Sequence, residues 1–153
     1  MDSCKISDVT LQQVMPVLLE QLSAGSSVRL YPKGTSMLPM LRQGVDSVLL
    51  SPLPGKLKKY DLPLYQRKSG QYVLHRICGA GETYTCIGDN QLEYEKGLSH
   101  DQMIAVVTAF YRGEKTYKVT KPSYQIYCRL WHYTRPVRRL WRGGKRFLRR
   151  CLK

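Results

Sequence analysis

A chain of 153 residues with 42% hydrophobic and 24% charged residues has room for one compact domain with a modest core, and its composition excludes a disordered polymer. The formal net charge of +14 excludes an ordinary near-neutral surface, but the excess is not spread evenly: eleven Lys and Arg and no Asp or Glu lie from Lys121 onward, leaving +3 for the first 120 residues. The five cysteines, Cys4, Cys78, Cys86, Cys128 and Cys151, have no Cys-x-x-Cys spacing and no His at ligand spacing. That argues against a zinc site and for reduced thiols in a cytosolic compartment.

In chain order, residues 7–24 read as an amphipathic helix. Ser7 or Asp8 caps it, Val9, Leu11, Val14, Leu18 and Leu22 give the apolar spacing, and Gly25 stops it. Pro16 should kink it. Strands are expected at 27–31, leading into a turn at Gly34, and at 47–50. Two hairpins follow, 62–66 with 71–77 around Lys68-Ser69-Gly70, and 71–78 with 83–87 around Gly79-Ala80-Gly81. The most apolar strand is 103–111, turned by Arg112-Gly113-Glu114 into 116–119. Short strands at this spacing predict a mainly β fold with α, as a coiled antiparallel sheet or small barrel behind one helix. Beyond Pro122, Tyr124, Tyr127, Leu130 and Trp131 recur at helical spacing, Pro136 interrupts, and apolar and basic residues then alternate to the end. The predicted organisation is an N-terminal helical segment (1–26), a β domain (27–120) and a basic amphipathic tail (121–153).

Three short motifs carry chemistry. Gly34-Thr35-Ser36-Met37-Leu38-Pro39 presents a serine on a constrained turn, His75 sits between Leu74 and Arg76, and Gly88-Asp89-Asn90 follows. A serine nucleophile needs a base in hydrogen-bond reach and a third group that fixes the base's tautomer. Of the three histidines, His100 lies in a polar connection and His132 in the basic tail, which leaves His75. Pro39 restricts Leu38 to extended backbone and so helps to hold Ser36.

In this order, Ser36-Met37-x-Pro39, His75-Arg76 and Gly88-Asp89-Asn90 resemble the type I signal peptidases and their relatives, the self-cleaving SOS-repressor peptidases, over roughly Val28 to Tyr111. A histidine followed by arginine at the base position is similar to the endoplasmic-reticulum-type branch; most bacterial members use lysine there. The resemblance implies a coiled, largely antiparallel sheet with the serine at its edge. It makes Ser36 the nucleophile and His75 the general base and acid. In that branch the third member is an aspartate six residues after the Gly-Asp aspartate, a position held here by Glu95. Asp89 is the alternative third member, although in the family it mainly shapes the site, with Pro39, Arg76, Gly88 and Asn90. The Ser36 N–H is the natural oxyanion donor. Some relatives add a serine hydroxyl where this chain has Gly34, so Thr35 or a backbone group such as that of Met37 must substitute. No metal or organic cofactor is implied.

The expected activity is that of a serine endopeptidase acting on a peptide or protein precursor. Signal peptidases are anchored by a bilayer span. Here no run approaches the ~20 apolar residues of one, and Met1-Asp2-Ser3-Cys4-Lys5 does not open a secretory signal. A cytoplasmic, peripheral location and a cytosolic leader peptide as substrate are therefore expected. Trp131, Trp141 and Phe147, with Arg142 and Arg146, would contact an anionic membrane surface. Nucleic acid or an acidic partner protein is the rival for the tail. A non-catalytic membrane-surface adaptor, or a regulator of the repressor type, is the alternative function. The ~25 residues before the sheet are too few for a DNA-binding bundle. The oligomeric state is left open.

Overall fold

The computed structural model describes residues 11–141. Helix α1 (Leu11–Ser23) is followed by β1 (Val28–Leu30), β2 (Asp46–Ser51), β3 (Pro63–Gln66), β4 (Tyr72–Leu74), β5 (Arg76–Ala80), β6 (Tyr84–Ile87) and β7 (Glu95–Leu98). A 3-10 turn at His100–Gln102 precedes β8 (Met103–Arg112), β9 (Lys115–Lys118) and α2 (Pro122–Tyr133). Residues 135–141 are helical again. Predicted residues 7–10, and the tail from 142, lie outside the described residues.

Every strand pair is antiparallel. One sheet runs β1-β2-β8-β3-β4, with β9 beside the far half of β8; the other is β5-β6-β7. Among the described residues these are two open sheets, not the small barrel that the strand spacing allowed. The cause is local. The expected strand 71–77 is split at His75, so that Leu74 still pairs with Leu64 while Arg76 already pairs with Ile87. The Ile77 N–H is donated to the Asp61 carbonyl, and the Ile77 carbonyl accepts from Tyr60, which fixes the departure of β5 from the first sheet.

Side chains alternate across the larger sheet as period two requires. Leu64, Ala105 and Val107 face one apolar cluster, which also takes Met15, Leu18 and Leu22 of α1 and Tyr124 and Cys128 of α2. Tyr65 and Val106 face a second cluster with Ile77, Tyr84, Cys86 and Leu98 of the smaller sheet. The serine turn is pinned to the first cluster through Met37, Met40 and Leu41. Pro16 lies inside α1, which continues through it. No helix among the described residues is long and apolar enough to cross a membrane.

Candidate active site

Ser36 and His75 line the same cavity of about 210 Å³, with Gly34 and Met37 from the serine turn, β4 along one wall, and Arg67 and Gln91. The cavity exists because the chain leaves the larger sheet at His75. The ring is buried, and Arg76 points the other way. Among the described residues no hydrogen bond joins the Ser36 hydroxyl to the His75 ring; such bonds are often long until substrate tightens them.

The other side of the imidazole is occupied. His75 Nδ1 lies 3.0 Å from Glu95 Oε1, and the Tyr65 hydroxyl is 3.3 Å from the same nitrogen. Arg67 grips the Glu95 carboxylate with Nε at 2.8 Å and Nη2 at 2.5 Å. Burial opposes the charge on Glu95, but the hydrogen bonds from Arg67 and Tyr65 and the nearby cations outweigh it and hold the carboxyl below its usual range. An ionised carboxylate only accepts, so Nδ1 carries the proton and Nε2 presents its lone pair. Burial pushes the His75 pKa down, more than the Glu95 charge and hydrogen bond lift it. The ring is therefore neutral at neutral pH.

Asp89 does something else. It is fully buried and pairs bidentately with Arg76, at 2.9 and 2.7 Å. Arg76 in turn donates to the Tyr124 hydroxyl and Cys128 Sγ of α2 and to Met40 Sδ of the serine turn. The residues flanking Asp89 hold the backbone of the serine turn. The Asn90 N–H donates to the Ser36 carbonyl at 2.8 Å, and Asn90 Nδ2 donates to the Thr35 carbonyl at 3.1 Å. At Gly88 a β-carbon would stand 2.6 Å from the Ser36 carbonyl oxygen. Each residue of the Gly-Asp-Asn motif thus has its own structural task, and Glu95 is the carboxylate that touches His75.

Gly88→Ala tests this close approach. Backbone must yield to backbone, so a loss of about 1–3 kcal/mol in urea unfolding is expected. A larger fall is expected in Ser36 reactivity, of about 10²-fold for a displacement near 1 Å. Reactivity equal to wild type would show that the serine turn does not depend on this contact.

Around Ser36, neither the Ser36 nor the Met37 N–H is donated to a backbone carbonyl among the described residues. Gly34, at φ 95°, donates its N–H to Gln43 Oε1; Thr35 is exposed. Pro39 follows a cis peptide bond. Arg67 and Tyr65 were not foreseeable as site residues: Arg67 sits in a turn-forming run and Tyr65 reads as an ordinary strand aromatic.

The predicted membrane contact Trp131 is turned inward. Its indole N–H donates to the Asp89 carbonyl at 2.9 Å, its ring stacks on Tyr127, and the Arg138 guanidinium lies 3.6 Å from its centroid. Trp141 is exposed. Arg142, Arg146 and Phe147 lie outside the described residues. Cys78, Cys86 and Cys128 are free thiols, and no cluster of three metal-ligating side chains occurs among the described residues.

Comparison of the chain with protein-family models, curated proteins and solved structures finds no match.

Proposed function

We propose that this chain is a signal-peptidase-like serine endopeptidase, with Ser36 as nucleophile, His75 as base and Glu95 as the group that orients His75. One observation carries the reading: a buried histidine, held through Nδ1 by an Arg-clamped glutamate, lines one cavity with the serine of the constrained turn. In acylation, Ser36 Oγ attacks the scissile carbonyl while His75 Nε2 takes its proton. The oxyanion is met by the Ser36 N–H. His75 then protonates the departing amine, leaving an ester on Ser36. Water, deprotonated by His75, hydrolyses that ester and restores the serine. Glu95 stabilises the imidazolium in both halves without itself accepting the proton. The substrate lies extended against β4, the edge strand that walls the cavity, and pairs with it through its backbone. A precursor or leader peptide is the substrate class that suits such a groove.

Labelling by a fluorophosphonate probe tests the reading. Wild type should react at Ser36 and Ser36→Ala should not; a labelled Ser36→Ala protein would end the proposal. The pH dependence tests the base. Neutral His75 is the active form and its pKa is lowered, so labelling should rise with pH through a midpoint below the ordinary 6.5 and be flat by neutrality. Glu95→Gln should cost about 10²-fold or more in rate and remove the charge that lifts the His75 pKa, so the midpoint should move further down. Asp89→Asn should move it down less, because the Asp89 charge is the smallest of the causes that lift the His75 pKa. The reverse ranking would pass the orienting role to Asp89.

A further inference from the structure

The helix starting at Pro122 is apolar on two sides. Tyr124 and Cys128 point into the core. On the opposite side Ile126, Leu130, Tyr133, Val137, Leu140 and Trp141 are between 56% and 77% exposed. Steps of four, three, four and three residues align the first five along one helix face. Thr134 donates to the Leu130 carbonyl and Arg138 to the Thr134 carbonyl, so the helical path carries the row past Pro136. Single exposed apolar residues are ordinary, but a contiguous row marks an interaction surface.

Beside the row lies a second cavity, of about 270 Å³, where Leu92 and Tyr94 meet His132, Arg135 and Arg139. Among the described residues no carboxylate lines it. Arg135 is only 5% exposed, its Nε has no hydrogen-bond partner, and its Nη1 makes one long bond, 3.4 Å, to the Gln91 carbonyl. Arg42, Arg67 and Arg76 are each matched to a carboxylate; among the described residues Arg135 is not. The Tyr94 ring, 5.7 Å away, is a partial substitute. A guanidinium taken out of water without an anion is costly, so the cavity is built for an anion from outside. The rim is cationic too. Arg139 lines the cavity, and Lys59 stands 6.0 Å from the Tyr133 ring that also lines it. Burial, and then the Lys59 and Arg135 charges, lower the His132 pKa.

We propose that this face lies on an anionic lipid surface, with the apolar row in the interface and a headgroup phosphate in the Arg135 cavity. A second copy would bring two cationic rims together. A nucleic acid would satisfy the arginines but leave the apolar row in water. An anionic bilayer surface accepts both features. The contact set differs from the one legible in sequence, since Trp131 belongs to the inner face.

The test is flotation of the full chain with vesicles of phosphatidylcholine alone and of phosphatidylcholine with phosphatidylglycerol; the readout does not involve Ser36. Binding to the second vesicles and not the first is expected. Arg139→Gln should weaken it about fivefold, and Leu130→Glu and Val137→Glu, both at exposed positions, about tenfold or more. Equal binding to neutral vesicles, or no binding, overturns the proposal. So does unchanged binding by all three variants, which would place the contact elsewhere in the basic tail. Displacement from vesicles by glycerol phosphate at matched phosphate concentration would make the cavity a soluble-phosphate site. Displacement by single-stranded or duplex nucleic acid, or dimerisation lost in Leu130→Glu, would assign the face to those partners instead.

Discussion

Alanine at Ser36 should abolish cleavage of any peptide the wild type cuts, and alanine at His75 should lower kcat/KM by at least about 10³-fold. The double variant should be little worse than either single one, because a nucleophile without its base and a base without its nucleophile fail at the same step. Stability separates this loss from a folding defect. Ser36 is half-buried and its hydroxyl makes no hydrogen bond among the described residues, so Ser36→Ala should unfold in urea like wild type. His75→Ala opens space in the interior, yet Glu95 keeps Arg67 and is not left isolated. Asn at position 75 is a smaller perturbation that still lacks a useful base. Activity within tenfold of wild type in Ser36→Ala or His75→Ala would remove the catalytic assignment of that residue.

The neighbouring pair should show the opposite profile. Arg76→Ala leaves the fully buried Asp89 carboxylate without its cation, and Asp89→Asn leaves a buried guanidinium without its anion. Either change should cost about 3–5 kcal/mol, the range for breaking a buried ion pair by removing one partner. Glu95→Gln breaks a partly exposed pair, where water takes over much of the interaction, and should cost about 1 kcal/mol or less. Stability and chemistry are thus assigned to different carboxylates. Replacing Arg76 and Asp89 together by Met and Leu should be less damaging than either single change, because no stranded charge remains. Urea unfolding of the four proteins decides the matter. Single variants that lose less than about 1 kcal/mol would mean that Arg76 is not the hub joining the serine turn, the Asp89 loop and α2.

Much of the larger sheet was legible because its strands are apolar or alternating runs bounded by turn residues, as at 46–51, 63–66 and 103–112. The candidate site was legible as an ordered set of motifs, with Glu95 reached through the family resemblance they carry. What stayed hidden depends on pairing at long range. Glu95-Lys96-Gly97-Leu98 buries only Leu98, so nothing in its pattern announces β7; its strand character comes from lying against β6. The run from Tyr72 to Ile77 shows no break at His75, because a strand's choice of partner is not written in its own residues. In α2, helical spacing was readable but orientation was not. Both faces are apolar, and the inward one is selected by the Arg76 bonds to Tyr124 and Cys128 and the Asp89 carbonyl that receives Trp131.

The split at His75 has a practical corollary. Arg67 follows a strand of the larger sheet and Glu95 opens a strand of the smaller one, so the clamp behind the histidine spans the seam between them. The exposed turn at 81–83 lies between the two halves of this machinery in sequence. A chain cut there carries serine, histidine and both clamping cations on one fragment, and Asp89 and Glu95 on the other. Neither fragment holds a complete site, and β8, the central strand of the larger sheet, goes with the second. On the proposed mechanism, serine reactivity would then switch on only when the fragments meet. That makes this fold a natural scaffold for a complementation reporter, whose signal is restored chemistry and not mere proximity.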